Sequence, residues 1–148
     1  MTIENEVWGC VVATPDEVLA FFARLGRRER CSYTWDVQNL WHEGGEPPSL
    51  ATYRRLKHLI GYVHLKGGRN DPAAGPKLRW STSLEDASWP VVEVVRQVAA
   101  DGTSPVICLN PSHGERLAGY DYGDVPERDL RFITAALANR SIQSGRSA

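Results

Sequence analysis

The sequence predicts a parallel α/β fold, in which short β-strands alternate with amphipathic helices. Three segments combine β-formers with apolar residues: 31–36, 62–65 and 106–109. Helical patterns lie between and after them, and this alternation is typical of βα units with right-handed crossovers. The order fits half of a (β/α)₈ barrel, and it fits a self-contained three-layer sandwich equally well.

The first helix is the most clearly marked element. Thr14 is suited to the N-cap, Pro15 to the first turn, and Glu17 completes a capping box. Apolar residues then recur at helical spacing, and Gly26 is suited to ending the helix. The stripe consists of Val18, Phe21, Phe22 and Leu25.

Turn-forming residues divide the rest of the chain. Ser49 begins a second helical pattern, and Pro90 begins a third. Residues 67–77 (GGRNDPAAGPK) show no periodicity, which predicts a flexible loop. A last helix is expected from about Pro126, with an apolar face that consists of Leu130, Ile133 and Leu137. We therefore expect one domain over residues 1–138 and a small, polar, disordered tail over residues 139–148.

Composition excludes several classes of partner. The formal net charge of the 148 residues is −1, which gives no long-range attraction to nucleic acid or to an anionic membrane. No apolar run approaches a membrane span, and no signal-peptide pattern opens the chain. The three cysteines show no C-x-x-C spacing and are expected to be reduced thiols. These features indicate a cytoplasmic protein.

Polar residues recur where the predicted strands end. Glu4, Asp36, His64 and Asn110 each lie at or near the carboxyl end of a strand. In a parallel sheet those ends share one edge, where α/β proteins bind ligands. Two carboxylates and an imidazole at that edge suit a divalent cation such as Mn²⁺, Mg²⁺ or Co²⁺, with Zn²⁺ as an alternative.

The segments around these residues resemble the sugar phosphate isomerase/epimerase family, the xylose isomerase-like TIM barrels. Residues 35–41 (WDVQNLW) with 44–47 (GGEP) resemble its Asp-x-x-(Asn/His)-x-x-x-x-Gly-x-x-Pro segment. Residues 59–66 (LIGYVHLK) are close to its Ile-x-x-Val-His-Leu-Lys segment, and residues 3–5 (IEN) resemble its strand-end Glu-Asn. The resemblance extends to about residue 138 and implies the C-terminal half of a (β/α)₈ barrel, with about four parallel strands.

The resemblance also implies a site and a reaction. Its metal ligands match Glu4, Asp36 and His64, and Asn110 stands where the family has a fourth ligand, a Glu in a Leu-Glu-Pro context. In this family two metal-bound glutamates move a proton between carbons of a sugar or sugar phosphate through a cis-enediolate. Glu4 matches one of these catalytic glutamates, and Asn110 stands in place of the other.

Four further residues are candidates for contact with a sugar substrate. The resemblance implies a polar contact at Asn39 and a cationic contact at Lys66. Trp8 follows a strand end and is suited to walling a sugar pocket, although core packing is an equal alternative. Arg69 follows the His64 strand and is suited to a phosphate or hydroxyl group.

Two departures from the family bear on activity. Asn110 can offer a neutral carbonyl to a metal but cannot act as a base, unless His113 or Glu115 substitutes from the following loop. The strands that would precede Glu4 in a whole barrel are expected from a second half-barrel on another chain or from a homodimer, unless the chain is a truncated or mis-started product. The sequence therefore predicts a metal-dependent sugar isomerase or epimerase that is truncated or impaired. The alternative is a non-catalytic barrel remnant that acts only as a binding or assembly partner.

Overall fold

The computed structural model describes residues 1–7, 9–10, 12–27 and 29–138. Within these residues the strands are β1 Thr2–Glu4, β2 Ser32–Asp36, β3 Ile60–Leu65, β4 Arg69–Asn70, β5 Leu78–Ser81, β6 Ile107–Leu109 and β7 Glu115–Arg116. The helices are α1 Pro15–Leu25, α2 Asn39–Gly44, α3 Leu50–Leu56, α4 Val91–Asp101 and α5 Val125–Ala138. The predicted tail, residues 139–148, and Trp8 lie outside the described residues.

The main sheet has four strands in the order β1-β2-β3-β6, and each neighbouring pair is parallel. The four strands lie in the sheet in the same order as in the sequence. Each connection between them therefore leads to the neighbouring strand. This is the progression of successive βα units in a barrel. It confirms the predicted parallel α/β architecture with about four strands.

Local signals explain where α1 begins and ends. The Thr14 side chain accepts a hydrogen bond from the Glu17 backbone N–H at 3.3 Å, and Glu17 Oε2 accepts from Thr14 N at 3.0 Å. Gly26 follows in the left-handed conformation, with φ of 58°. These contacts satisfy backbone groups that the helix ends leave unpaired, which confirms the predicted capping box.

Alternation along β2 separates the core from the candidate site. Tyr33 and Trp35 are 2% and 1% exposed and point to the helices, where Trp35 stacks on Tyr53 of α3 at 5.7 Å between ring centroids. Thr34 and Asp36 point to the opposite face because successive side chains of a strand alternate. The helix-facing side is therefore the apolar core, and the other side carries the polar strand-end groups.

The segment 67–77 is not a loop throughout, and this part of the prediction was wrong. β4 pairs antiparallel with β5, and β5 pairs parallel with β7, so a small second sheet covers the end of β3. Gly67 lies so close to this sheet that a Cβ there would stand 2.2 Å from the Thr82 carbonyl oxygen. The sequence does not predict this sheet, because its strands are too short to show the alternation of apolar and polar residues by which a strand is recognised.

The predicted apolar face of α5 also needs correction. Ile133 is buried as expected, but Leu130 is 58% exposed. Asp129 is buried instead, at 6% exposure, and its Oδ1 accepts a hydrogen bond from Leu84 N at 2.7 Å. The inward face of α5 therefore carries Asp129, whose buried carboxylate satisfies a backbone N–H, where Leu130 was predicted, while Ile133 and the partly buried Leu137 pack against the core as expected.

Among the described residues, none of the helices combines the length and hydrophobicity that crossing a bilayer requires.

Candidate functional site

Glu4, Asp36 and His64 meet at the carboxyl edge of the main sheet. Asp36 pairs with His64 in the β2–β3 register, and Glu4 lies on the neighbouring strand opposite Thr34. His64 Nδ1 is 3.1 Å from Glu4 Oε1 and 3.5 Å from Asp36 Oδ2. One ligand atom from each of the three residues lies within 4.8 Å of the others, which is close enough to share a metal ion.

The two oxygens of Asp36 have different partners. Oδ1 accepts the backbone N–H groups of Gln38 at 2.9 Å and Asn39 at 3.3 Å, so the start of the following turn fixes the carboxylate. Oδ2 faces His64 and the ammonium of Lys66, whose Nζ lies 2.6 Å away as an ion pair. Among the described residues this oxygen makes no hydrogen bond of good geometry, but the Lys66 ammonium neutralises it as an ion pair, and Asp36 is fully buried.

The charged groups of the cluster shift one another's pKa values. Burial raises the pKa of Glu4, and the positive charge of His64 only partly opposes this. Burial also acts to raise the pKa of Asp36, but the interactions with His64 and Lys66 outweigh it and lower that pKa. The interaction with Asp36 raises the pKa of His64, with Glu4 acting in the same direction against partial burial. The cluster therefore favours an anionic Asp36 and a protonated His64.

Asn39 holds the Glu4 strand in place. Its side-chain amide donates to the Asn5 backbone carbonyl and, at 3.3 Å, to Glu4 Oε1. Asn39 is fully buried and its Oδ1 has no hydrogen-bond partner among the described residues. The predicted substrate contact thus lies beside the cluster, where its amide orients a candidate metal ligand.

The structure adds Gln38 to the site, a residue that the sequence interpretation did not select. Gln38 is fully buried, and its amide nitrogen donates to the Gly67 carbonyl and to Ser112 Oγ. Its Oε1 accepts the His113 backbone N–H at 2.9 Å. A polar residue directly after a buried strand is a weak sequence signal, because its partners lie far along the chain.

Of the two loop residues considered as substitutes for a base, only His113 lies at the cluster. Its Nε2 is 2.5 Å from Lys66 Nζ, and burial together with the Lys66 charge lowers the pKa of its imidazole. Glu115 begins β7 instead and is paired at 3.2 Å with Arg79 on the exposed second sheet. Of these two residues, His113 is therefore the one placed beside the cluster, and Glu115 lies away from it.

Asn110 follows β6 one position beyond the residues paired with β3. Its backbone N–H donates to the Leu65 carbonyl at 2.9 Å, and its Oδ1 accepts from the Cys108 thiol at 3.4 Å. Cys108 pairs with His64 in the sheet register, so Asn110 belongs to the same edge. Its role as a fourth ligand stays a prediction, as does a substrate role for Arg69, which is exposed in β4.

The residues present fit a divalent metal ion. Asp36 offers a buried oxygen beside the Lys66 ammonium, and an oxygen of Glu4 and a ring nitrogen of His64 lie close to it. Two carboxylate oxygens and an imidazole nitrogen suit Mg²⁺, Mn²⁺ or Co²⁺ better than they suit a soft ion that prefers thiolate. The cluster is thus a candidate metal centre.

Neither a family model nor a curated protein matches this sequence. Among solved structures, a xylose isomerase-like TIM barrel protein from Mycobacterium smegmatis in complex with magnesium superposes with a TM-score of 0.68 at 20% identity, over 93% of this chain and 44% of its own. A xylose isomerase domain protein from Planctomyces limnophilus gives 0.57 at 13% identity, over 96% and 44%. The probable 3-DHS dehydratase AsbF from Bacillus anthracis, involved in petrobactin synthesis, gives 0.60 at 14% identity, over 90% and 48%.

The chain spans less than half the length of each of these structures. At such identities the likeness concerns the fold, and one fold of this kind hosts many reactions. The progression of parallel βα units agrees with that likeness, and the polar cluster lies at the edge where such barrels carry their active sites. The chain therefore has the fold of about half of a xylose isomerase-like TIM barrel.

Proposed function

We propose that the chain supplies the metal centre of a sugar isomerase or epimerase, and that a second half-barrel completes the enzyme. The observation that carries the proposal is the convergence of Glu4, Asp36 and His64 within 4.8 Å at the carboxyl edge of a parallel sheet. The proposed ion is Mn²⁺, Mg²⁺ or Co²⁺, with Zn²⁺ as an alternative. The proposed substrate is a sugar or a sugar phosphate.

The proposed reaction is proton transfer between carbons through a cis-enediolate. A divalent ion, when bound, stabilises the negative charge that develops on two adjacent substrate oxygens. Glu4 is the proposed base, and burial, which raises its pKa, moves that pKa toward neutrality, as proton transfer requires. Asn39 keeps the Glu4 carboxylate oriented through its 3.3 Å hydrogen bond. Asn110 can orient a substrate hydroxyl but cannot exchange a proton near neutral pH.

The proposed partner covers the polar face and the open edges of the main sheet. Among the described residues β1 and β6 are the outer strands of that sheet, so each offers an edge to which a further strand can be added. A second half-barrel could be another segment, another chain or a second copy in a homodimer. The centre is then enclosed, which excludes water and supplies the remaining substrate contacts.

A second candidate function is binding without catalysis. Asn110 favours it, because the carboxamide removes one of the two proton-transfer groups that the family resemblance implies. In that case the chain acts as an assembly partner or binds a sugar without turning it over. Both functions include the metal centre, but only the enzyme exchanges a proton on the sugar. Metal binding and proton exchange are therefore tested in separate experiments.

The metal centre is tested by calorimetric titration of the chain with Mn²⁺. We expect weak binding to the native chain and none to the double variant Asp36→Ala/His64→Ala. His58→Ala is the matched control, because His58 is an exposed residue in the turn between α3 and β3, and it should bind Mn²⁺ as the native chain does. Equal binding by the native chain and the double variant would rule out this centre.

Catalysis is tested by solvent-deuterium incorporation into a panel of ketoses and their phosphates, with Mn²⁺ present. The panel is run on the chain alone and on the chain mixed with a separately produced N-terminal half-barrel. Exchange only in the mixture supports the enzyme proposal. Metal binding with no exchange in either sample supports the binding function, and robust exchange by the chain alone contradicts the need for a second half.

A further inference from the structure

Lys66 brings a positive charge to the same oxygen that a metal ion would use. Its Nζ lies 2.6 Å from Asp36 Oδ2, and its side chain is only 4% exposed. Asp36 Oδ1 is committed to the backbone N–H groups of Gln38 and Asn39. Oδ2 is therefore the oxygen left for a ligand, and the ammonium already occupies it.

An ammonium and a divalent cation on one buried carboxylate oxygen repel each other strongly. Asp36 has no exposed surface, so little water is present to screen the two charges. The carboxylate cannot release Lys66 by turning, because the two backbone N–H groups hold its other oxygen. A metal ion must consequently displace Lys66 or share Asp36 with it at a large electrostatic cost.

His113 offers Lys66 a second hydrogen-bond partner beside Asp36. The imidazole Nε2 lies 2.5 Å from Lys66 Nζ, and a neutral imidazole nitrogen can accept a hydrogen bond from an ammonium group. The loop that carries His113 is anchored by the buried Gln38 side chain, which accepts the His113 backbone N–H at 2.9 Å. The ammonium can therefore leave Asp36 and remain hydrogen-bonded.

We propose that Lys66 is a built-in competitor of the metal ion at this centre. In the metal-free protein it neutralises Asp36, and it thereby lowers the affinity of the centre for divalent cations. When an ion binds, Lys66 gives up Asp36 and keeps His113. The inference rests on the proposed metal centre and goes beyond it, since it assigns Lys66 and His113 to control of metal affinity instead of substrate contact.

The test is Lys66→Met, which removes the charge and retains most of the side-chain volume. Calorimetry should show that this variant binds Mn²⁺ at least about tenfold more tightly than the native chain, because the competing charge is gone. Lys66→Arg retains the charge and should stay close to native affinity. Lys57→Met is the matched control, since Lys57 forms a partly exposed pair with Asp101 at 3.0 Å away from the cluster.

A second readout is independent of the comparison of affinities. In a Mg²⁺ titration of the native chain followed by NMR of the histidine rings, His64 should shift as a ligand, and His113 should shift because its contact with Lys66 changes. His58 should stay constant. In Lys66→Met the response of His113 should be lost while that of His64 remains, a result that a purely structural role for Lys66 would not produce.

The outcomes separate this inference from the proposed centre. If Lys66→Met binds Mn²⁺ no more tightly than the native chain, or if His113 does not respond to Mg²⁺ while His64 does, the competitor role is wrong and the centre stands. If neither the native chain nor Lys66→Met binds an ion, the centre itself fails and the competitor role fails with it. Should Lys66→Met not fold, the response of native His113 decides alone.

Discussion

The side chain of Gln38, two residues after β2 ends, accepts the backbone N–H of His113 across a separation of 75 residues, at 2.9 Å. The same side chain donates to the Gly67 carbonyl after β3. One buried amide therefore ties together the segments that follow three strands of the main sheet. This arrangement holds the backbone of a loop residue, His113, against the end of the main sheet.

Removing the Gln38 amide should loosen that loop. Gln38→Leu leaves the buried Gly67 carbonyl and the part-buried His113 backbone N–H without this partner, at a cost of about 2–4 kcal/mol in the free energy of unfolding. Hydrogen exchange at the His113 amide should accelerate at the same time. Gln97→Leu is the control, because the Gln97 side chain bonds Asp101 on its own helix at 2.8 Å and lies at the surface. Equal stability of the two variants would contradict the anchoring role of Gln38.

Metal affinity should depend on pH through His64. The interaction with Asp36 raises the pKa of His64, so the metal-free imidazole keeps its proton above the ordinary value of about 6.5. A metal ion needs the neutral imidazole and must displace that proton. Affinity for Mn²⁺ should therefore rise with pH by up to about tenfold per unit until His64 has titrated, and then level off. Calorimetry across this range checks the slope.

The midpoint of that pH dependence has an independent check. An NMR titration of the metal-free chain gives the pKa of His64 directly, and the two midpoints should agree. Asp36 should contribute little, because its pKa is lowered and it is ionised throughout the range. An affinity for Mn²⁺ that does not change with pH would exclude His64 as a ligand.

Asn110→Glu should strengthen the centre. The change adds an anionic oxygen beyond Cys108, which is paired with His64 in the register of the main sheet. A charge-assisted interaction of this kind corresponds to a gain of roughly ten- to a hundredfold in affinity for Mn²⁺. Asn70→Glu, a change in the partly exposed β4, adds the same charge away from the cluster and should leave the affinity unchanged. Equal affinities of the two variants would place residue 110 outside the centre.

Gly67→Ala should destabilise the fold around Lys66. The added Cβ would stand 2.2 Å from the Thr82 carbonyl oxygen, so the second sheet must move away from the end of β3. Overpacking of this kind costs on the order of 1–3 kcal/mol in denaturant unfolding. Gly123→Ala is the control, because its nearest contact is the Asp121 side-chain oxygen at 3.1 Å, which can shift. A native-like Gly67→Ala would mean that the second sheet does not pack as described.

Short-range sequence patterns by themselves determined most of the secondary structure and the candidate ligand positions of this protein. The Thr14–Glu17 capping box, the alternating strands and helices, and the strand-end positions of Glu4, Asp36 and His64 all follow from neighbours along the chain. Such signals are enough to predict helices and strands whose ends are set by capping residues and which bury a single face. They also suffice for the candidate ligands, because parallel strands bring their carboxyl ends to one edge.

Only the tertiary structure decided which side chains from distant segments come into contact. The ion pair of Lys66 with Asp36, the anchoring of His113 by Gln38 and the small sheet over Gly67 join segments far apart in the chain. Each depends on distances set by packing, and neither composition nor periodicity encodes such distances. The apolar pattern of the last helix predicted Leu130 inward, and this was wrong, because Asp129 turns inward to accept the Leu84 backbone N–H, which a distant segment contributes.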